Sequence, residues 1–443
     1  MVNITRAREY SKLSDIDRGV VDRRVFYDAE IYQLELEQIF ARTWQFMCHE
    51  SQIPNAGDFF LSFIGEDRVI IVRNNDGGVS VLVNSCRHRG NAVCRAEEGH
   101  ATSFMCTYHG WTYDLKGALV GVPGFKEVYH EELDRENWGL ITAAQVETYK
   151  GFVFANMDPE APGLQEWLGD ARFAFDFFAD RAAIEVAPGV AKFAMKSNWK
   201  FPGDNSTDQY HAFLTHASAR LSGYTGGGAF LNRRQMSMVP QPQKGFTVLC
   251  EYGHGFNASY LPEGWQERVQ QDVWGRWRLD PEVSAKMGPL ANQLGNVHMN
   301  LFPNLFLVTS GFNLALRIPK GPTECEIWMW SFQDSNATVE DKKLARHRSG
   351  HHFGPSGLME QDDGENWDQS TAGARGTISK RYPLNYALKL NEEVIFDEEA
   401  PPRVPSHMTE AAQRWTHRCW SDYMAAESWD DLRAHHAKPE DHK

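Results

Sequence analysis

The spacing of hydrophobic and polar residues changes along the chain, and these changes divide it into segments. In residues 28–44 the apolar side chains recur at helical spacing behind Asp28, which predicts a helix capped by an aspartate. After Pro54 the apolar residues alternate with polar ones or form short runs, the pattern of β-strands. An all-β module is therefore predicted to begin near residue 40.

Three strands are predicted in this module, at residues 59–65, 68–74 and 79–85, with an Asn- and Gly-rich turn between the last two. Proline and glycine close the module near residue 160. Residues 163–181 then have the pattern of an amphipathic helix. Farther on, β-branched and aromatic residues predict long strands at 246–252, 305–319 and 325–334.

Composition and charge narrow the class of protein. With 443 residues, 42% hydrophobic and 23% charged, the chain is long enough for two domains or for one large domain with an insertion. The formal net charge of −14 argues against nucleic acid as a partner and is compatible with a small neutral substrate. The 14 Trp and 26 Phe suit a wide apolar cavity or a large subunit interface.

The first residues alternate charged and polar side chains without an apolar core, so they do not have the form of a secretory signal. No later apolar run approaches the ~20 residues that cross a bilayer. The sequence therefore predicts a cytoplasmic protein that has no membrane partner. Seven cysteines, an odd number, then favour thiols or metal ligands over disulfides. Four of them have apolar or aromatic neighbours and are predicted to be buried: Cys48, Cys250, Cys325 and Cys419.

Two Cys-His pairs in the β module carry the strongest chemical signal. Cys86 and His88 form the first pair, and Cys106 and His109 form the second. A Rieske [2Fe–2S] centre requires two thiolates on one iron and two imidazoles on the other, which these pairs supply. Zinc is the other metal that Cys2His2 ligation suits, but zinc fingers pair Cys with Cys and His with His. We therefore predict a Rieske cluster, with zinc as the alternative.

A second polar segment, residues 198–216, is predicted to be the active-site helix. In a helix Asn205, Asp208 and His211 lie along one face. His216 falls out of line, because five residues turn an ideal helix about 140° past its start. A single π-bulge would restore the alignment, and such bulges are common at functional sites. The spacing supports His211 and His216 as metal ligands, although such a pair alone is more often two polar residues on a surface helix. The Cys-His pairs upstream weigh against that alternative.

These two segments resemble known motifs of one family. CRHRG followed by CTYHGWTYD resembles the Rieske motif of the large (alpha) subunit of aromatic-ring-hydroxylating dioxygenases, and NWKFPGDNSTDQYHAFLTH is similar to the mononuclear-iron motif of the same family. The resemblance extends from about residue 28 to beyond residue 363. It implies an α+β fold with an all-β Rieske domain, residues 41–158, inserted into a larger helix-grip catalytic domain with an antiparallel sheet. The catalytic domain would comprise residues 1–40 and 159–443.

An oxygen-activating iron site of the 2-His-1-carboxylate type needs one carboxylate and leaves three positions open for O2 and other ligands. The acidic segment downstream offers four candidates, and its chemistry alone does not choose between them: Glu360, Asp362, Asp363 and Glu365. Comparison with the FGPxG…DD pattern of the family implies Asp363, with Asp362 as the alternative.

Asp208 precedes His211 by three residues and can accept a hydrogen bond from the ring nitrogen that does not bind iron. The resemblance implies that this aspartate also contacts a cluster histidine, here His109, and bridges the two metal centres of neighbouring subunits. Side chains within a turn of the ligands are predicted to line the pocket, and the resemblance adds three more. The set is Asn205, Gln209, Ala212, Phe213 and Leu214, with His298, Phe353 and Met359 by resemblance.

One competing cofactor motif is rejected. Residues 253–258, GHGFNA, fit the form of a dinucleotide fingerprint, but that motif must open a helix, and Pro262 follows almost at once. The chain therefore has no credible nicotinamide or flavin site of its own. We expect NADH to be oxidised by a separate reductase, with or without a ferredoxin.

The family resemblance implies a terminal oxygenase that adds both atoms of O2 to an aromatic ring and gives a cis-dihydrodiol. The absence of Arg and Lys among the predicted pocket residues favours a neutral, hydrophobic substrate. The family resemblance also implies a homotrimer of alpha chains, with a small beta subunit as an α3β3 assembly. Two alternatives remain open: a Rieske monooxygenase or N- or O-demethylase with the same metal sites, and an electron-transfer protein that uses the cluster alone.

Overall fold

The chain folds as two units in the computed structural model. The structure describes residues 4–222, 224, 244–397, 401–434 and 438–439. One unit is Phe40–Leu164, and the other combines Met1–Ile39 with Gln165–Lys443. We call them the β unit and the catalytic unit. The N-terminal part of the chain thus belongs to the same unit as the C-terminal two thirds.

The β unit contains three antiparallel sheets within its described residues. The three strands predicted from alternation are confirmed and pair in order as one meander. The strands of the unit are Gln45–His49, Asp58–Ile64, Asp67–Arg73, Val79–Val83, Glu98–His100, Phe104–Met105, Thr112–Tyr113, Leu119–Gly121, Gln145–Tyr149 and Phe152–Asn156.

A nine-stranded antiparallel sheet forms the centre of the described catalytic unit. The predicted long strands are confirmed, except that residues 305–319 form two strands that pair across a turn. Along the sheet the strands follow the order Ile184–Val186, Glu324–Asp334, Asn313–Gly321, Leu305–Val308, Leu294–Leu301, Gly255–Tyr260, Gly245–Leu249 and Arg403–Val404, with Ala191–Met195 also paired to Glu324–Asp334. The rejected fingerprint is thus part of a strand and opens no helix.

Two of the predicted helices of the catalytic unit are present, with changes in their extent. Asp28 caps its helix as predicted, accepting the backbone N–H groups of Glu30 and Ile31, although the α-helix ends at Glu35 and continues as a π-turn. Residues 163–181 form two α-helices joined by a 3-10 turn. The α-helices are Ile4–Ser11, Ala29–Glu35, Leu164–Leu168, Arg172–Ala179, Lys200–Ser206, Ala212–Thr215, Ala217–Leu221, Trp265–Arg268, Pro281–Gln293, Val339–His352, Leu358–Ala374, Ala411–Ala425 and Trp429–Ala434.

The helix Leu358–Ala374 illustrates how sequence sets which side chains face inward. Its buried residues recur three or four positions apart, which makes one buried stripe. Gly364 lies in that stripe, where a Cβ atom would come within 2.9 Å of the Met195 side chain. Thr371 accepts the backbone N–H of Asn198 at 3.0 Å.

The nine-stranded sheet and this long helix together confirm the predicted α+β class with an antiparallel sheet.

The prediction of one helix over residues 198–216 is wrong. The first helix, Lys200–Ser206, ends before Asp208, and a short helix, Ala212–Thr215, follows. Between them Asp208 Oδ1 accepts the backbone N–H of Tyr210 at 2.6 Å and of His211 at 3.3 Å. An aspartate that bonds the backbone ahead of it competes with helical bonding, so the chain turns here instead of forming a π-bulge.

All seven cysteines are buried and none forms a disulfide. The prediction that Cys48, Cys250, Cys325 and Cys419 are buried is confirmed. None of the helices in the described ranges combines the length and apolar character that a membrane span requires.

A buried ion pair joins the end of the helix Ala29–Glu35 to the start of the helix Lys200–Ser206. Glu35 is fully buried, and its Oε1 lies 2.5 Å from Lys200 Nζ. The indole N–H groups of Trp199 and Trp420 donate to the same carboxylate at 2.9 and 2.8 Å. Burial lowers the pKa of Lys200, and the Glu35 carboxylate opposes that shift. The pair thus fixes the segment that precedes His211.

We predict that Glu35→Ala destabilises the catalytic unit by about 3–5 kcal/mol, because Lys200 is left buried without its counter-charge. The measurement is denaturant unfolding followed by near-ultraviolet circular dichroism. Glu37→Ala is the matched control, since Glu37 is exposed two residues away and its loss should change the free energy of unfolding by less than about 0.5 kcal/mol. Equal effects of the two substitutions would contradict the role of the pair.

Candidate metal centres

Two loops of the β unit carry the predicted cluster ligands. The loop after strand Val79–Val83 holds Cys86 and His88. The loop at the tip of the hairpin between Phe104–Met105 and Thr112–Tyr113 holds Cys106 and His109. Each cysteine therefore lies just beyond a strand, and each histidine lies in the turn that follows.

The two loops share one backbone conformation. The N–H of Gly90 donates to Cys86 O at 2.8 Å, and the N–H of Gly110 donates to Cys106 O at 2.9 Å. Both glycines have φ of 74°, a left-handed value that other residues adopt only with strain. At Gly110 a Cβ atom would also lie 2.7 Å from Pro123. The glycine four residues after each cysteine is thus required by the turn.

The loops bring the four side chains into one place. The His88 and His109 rings lie 4.4 Å apart between centroids, and Trp111 stacks on His88 at 4.9 Å. Cys86 and Cys106 are buried, whereas both imidazoles are half-buried. His88 Nδ1 is buried and has no hydrogen-bond partner among the described residues. A buried ring nitrogen without a protein partner is available to bind a metal.

Hydrogen bonds reach both sulfur atoms. The Tyr113 hydroxyl lies 3.3 Å from Cys86 Sγ, and Asn91 Nδ2 donates to Cys106 Sγ at 3.6 Å. Burial acts to raise the pKa of Cys106, but hydrogen bonds from the Tyr108 backbone and from Asn91 outweigh it and lower the pKa. These hydrogen bonds favour the thiolate of Cys106, the form in which sulfur binds iron. The donor set therefore fits a [2Fe–2S] cluster.

In the catalytic unit His211, His216 and Asp363 form a second cluster, with one ligand atom from each within 4.8 Å of the others. Asp363 Oδ1 lies 3.3 Å from His211 Nε2 and 3.6 Å from His216 Nε2. Two ligands about 2.1 Å from a metal and at right angles to each other stand about 3 Å apart. The three atoms thus have the spacing of one face of a metal coordination sphere.

A carboxylate also faces the far nitrogen of each imidazole. Asp208 Oδ2 lies 3.4 Å from His211 Nδ1, and Asp362 Oδ2 lies 3.7 Å from His216 Nδ1. Asp362 also accepts the Ser218 hydroxyl at 3.2 Å. Such contacts orient metal-binding imidazoles and fix which nitrogen is free for the metal.

The acidic candidates Glu360 and Glu365 have different surroundings from Asp362 and Asp363. Glu365 is exposed and accepts the Gln369 amide at 3.1 Å. Glu360 is buried, and burial with the nearby Asp363 charge raises its pKa to about 8. A carboxyl group that is protonated at neutral pH is a poor metal ligand. Of the four acidic candidates, Asp363 is the one that faces both histidines.

The charges at this cluster require a cation. Burial acts to lower the pKa of His211, but the carboxylates of Asp208 and Asp363 outweigh it and raise the pKa to about 10. Asp363 Oδ1 is buried and has no hydrogen-bond partner in the described part of the chain. A positive charge between the three side chains, either a proton on His211 or a divalent metal ion, would neutralise it.

The predicted pocket residues divide into three groups. Gln209 and His298 are near each other, with Gln209 Nε2 at 3.4 Å from His298 Nδ1. Phe353 and Met359 are buried, and Met359 lies on the helix that carries Asp363. Asn205, Ala212 and Phe213 are half-buried, whereas Leu214 is 65% exposed and so does not line an enclosed pocket within the described residues.

The sequence analysis missed two polar neighbours of His298. Asn296 Nδ2 lies 2.6 Å from His298 Nε2, and Asn257 Oδ1 accepts the Gln209 amide at 3.3 Å. A signal was present, because Asn296, His298 and Asn300 alternate with apolar residues along one strand. Polar residues on one face of a buried strand indicate a site or a buried hydrogen-bond network.

Family models match both units. Residues 43–149 match the Rieske [2Fe-2S] domain, and residues 164–426 match the catalytic domain of the ring hydroxylating alpha subunit. The biphenyl dioxygenase alpha subunit of Paraburkholderia xenovorans is 34% identical over 95% of this chain and 94% of its own length. The benzene 1,2-dioxygenase alpha subunit of Pseudomonas putida is 34% identical over 96% of each chain.

A solved structure agrees with these matches. Naphthalene 1,2-dioxygenase with indole bound in its active site superposes with a TM-score of 0.88 and 28% identity, covering 97% of both chains. The family implies a Rieske cluster and a mononuclear iron, and the two donor sets described above fit them. The chain therefore belongs to the alpha subunits of the Rieske non-haem iron aromatic-ring-hydroxylating dioxygenases.

Proposed function

We propose that this chain oxygenates a neutral, hydrophobic aromatic ring at the His211–His216–Asp363 cluster and releases a cis-dihydrodiol. The apolar side chains of Phe353 and Met359, buried next to the cluster, support this substrate class. Phe306 adds a ring edge-on to Phe353 at 6.5 Å. The relatives named for biphenyl, benzene and naphthalene act on molecules of the same class.

We assign Cys86, His88, Cys106 and His109 to the Rieske cluster, and His211, His216 and Asp363 to the iron. When bound, the cluster supplies electrons and the iron supplies O2 activation. The contribution of the chain is to orient the imidazoles through Asp208 and Asp362 and to hold the ring in a largely apolar pocket. The mutual spacing of the three cluster atoms is the observation that carries the proposal.

His298 gives this pocket one polar group that has no charge. Burial lowers the pKa of His298 to about 3, so the ring is neutral. Thr309 Oγ1 donates to Asn296 Oδ1 at 2.8 Å, which leaves Asn296 Nδ2 to donate to His298 Nε2. On the other side of the ring, His298 Nδ1 faces the Gln209 amide nitrogen at 3.4 Å. A neutral polar group suits a product that bears hydroxyl groups more than it suits a carboxylate substrate.

We further propose that NADH reaches this oxygenase through a separate reductase, with or without a ferredoxin. Met105 and Tyr108, which flank the cluster loop at 57% and 60% exposure, offer apolar contacts to a protein partner. The assembly is proposed to be a trimer of alpha chains, with a small beta subunit as α3β3. In such a ring the His109 side chain of one subunit would face Asp208 of the next.

Product analysis tests the reaction itself. We expect the purified oxygenase, given a surrogate reductase and a panel of neutral aromatic hydrocarbons in 18O2, to form a cis-diol that carries both labelled atoms. A single labelled atom in an alcohol, or loss of an N- or O-methyl group, would identify a monooxygenase or demethylase instead. Reduction and reoxidation without any oxygenated product across the panel would support the electron-transfer alternative.

Iron content tests the ligand assignment. We expect His211→Ala, His216→Ala and Asp363→Ala each to lower iron from about three to about two per chain while sulfide and the visible Rieske spectrum remain. Asp362→Ala is the matched control on the same helix, and it should retain about three irons. Loss of iron in Asp362→Ala but not in Asp363→Ala would transfer the ligand role to Asp362.

Asp208→Asn tests the orienting carboxylate. The Asn side-chain oxygen can still accept the backbone N–H groups of Tyr210 and His211, so the turn should survive. The negative charge beside His211 Nδ1 is lost, and we expect both metals to be retained while cluster reoxidation in a single turnover slows about 10–100-fold. Stopped-flow absorbance of the cluster measures this rate. An unchanged rate with full metal content would contradict the role of Asp208.

A further inference from the structure

A cavity of about 810 Å³ lies in the catalytic unit, and none of the three cluster residues is among its described walls. The walls come from residues 180–183, residues 273–286, Phe312 and residues 333–345. Sites for small molecules typically enclose about 300–1,000 Å³. The cavity is therefore large enough for a one- or two-ring ligand.

Most charged side chains of these walls are already paired. Asp280 caps the helix Pro281–Gln293, and Asp334 accepts the backbone N–H of Asn336. Three cations of the described walls form ion pairs at 3.0 Å: Lys286 with Asp180, Arg276 with Asp341, and Lys342 with Glu185. These pairs leave little net attraction for an added ion.

Arg181 differs from the other wall cations. It is 7% exposed, and its guanidinium lies 4.2 Å from the centre of the Phe312 ring and 5.4 Å from that of Phe178. Nη2 donates to Thr309 O at 3.1 Å, and Nε has no partner in the described part of the chain. No carboxylate of the described residues forms an ion pair with it, although two charges act on it from nearby in opposite directions, the like charge of Arg278 and the carboxylate of Asp272. Burial lowers the pKa of Arg181 to about 9, so it stays cationic at neutral pH.

Apolar side chains form another part of the described wall. Trp274, Trp277, Phe312 and Val283 line the cavity. The indole Nε1 atoms of both tryptophans are buried without hydrogen-bond partners among the described residues. A buried, unpaired cation is costly, and it becomes favourable when an anion with a matching apolar body occupies the space. Planar guanidinium groups pair with carboxylates through two parallel hydrogen bonds.

We propose that this cavity binds a small monocarboxylate with an aromatic body, its carboxylate on Arg181 and its ring among Trp274, Trp277 and Val283. The site uses none of the residues assigned to oxygenation, so the proposal is independent of the proposed function. The ligand proposed for this cavity is an anion, whereas the substrate proposed for the oxygenation site is neutral.

Binding by the intact oxygenase tests the proposal. In isothermal titration calorimetry we expect benzoate to bind at one site per chain, and benzamide, which has the same shape without the charge, to bind at least about tenfold more weakly. Excess benzene should leave the benzoate dissociation constant unchanged. Equal binding of benzamide, or competition by benzene, would overturn the proposal, because the ligand would then recognise shape alone or occupy the oxygenation pocket.

Substitutions locate the site. Arg181→Gln should weaken benzoate at least about tenfold and leave benzamide unaffected, whereas Arg276→Gln, which removes a paired cation from the same wall, should change benzoate binding less than about threefold. Equal losses in the two variants would overturn the assignment to Arg181. Val283→Phe adds a ring to the wall on which the ligand ring would pack without altering Arg181, and it should also weaken benzoate binding at least about tenfold. Unchanged binding in Val283→Phe would overturn the proposal even if Arg181→Gln failed to fold.

Discussion

The catalytic unit depends on one electrostatic constraint, the convergence of two imidazoles on a single buried carboxylate oxygen. Asp363 Oδ1 lies 3.3 and 3.6 Å from the Nε2 atoms of His211 and His216, and in the described chain it accepts no hydrogen bond. A buried carboxylate in this state is stable only if a positive charge is supplied close by. A divalent metal ion supplies that charge and also satisfies both nitrogens at once.

The surrounding structure serves to hold these three atoms in place. Gly364, next to Asp363, lets the helix Leu358–Ala374 approach Met195 closely. On the other side Asp208 ends the first helical segment by binding the backbone of Tyr210 and His211 with one oxygen, and it faces the His211 ring with the other. One aspartate therefore determines both the turn of the chain and the orientation of the imidazole. Farther back, Glu35 and Lys200 fix the start of the same segment.

Much of this could be predicted from sequence, because alternation and helical spacing report burial directly. The strand meander of the β unit and the long strands of the sheet follow from that pattern. The break at Asp208 could not be found in this way, because side-chain to backbone bonding competes with helix formation locally and leaves residue spacing unchanged. The choice of Asp363 over Glu360 depended on which residues of Leu358–Ala374 face the histidines, and this face is set by packing against Met195. The contact of Asn296 with His298 was missed although both lie on one strand, because the polar face of that strand was not recognised. The contact of Asn257 with Gln209 was missed because Asn257 lies on the neighbouring strand, which residue spacing does not reveal.

The residues proposed to hold the metals do not by themselves determine which oxygenation reaction follows, because a Rieske monooxygenase would use the same ligands. The outcome must depend on where the ring lies relative to the cluster, and hence on the walls that position it. On the proposed assignment those walls include the strand Leu294–Leu301, on which Asn296 contacts His298, and the aromatic pair Phe306 and Phe353. A neutral His298 is a polar group that does not attract an anion. Uncharged side chains would then position the ring, whereas the carboxylates of Asp208, Asp362 and Asp363 face the two histidines.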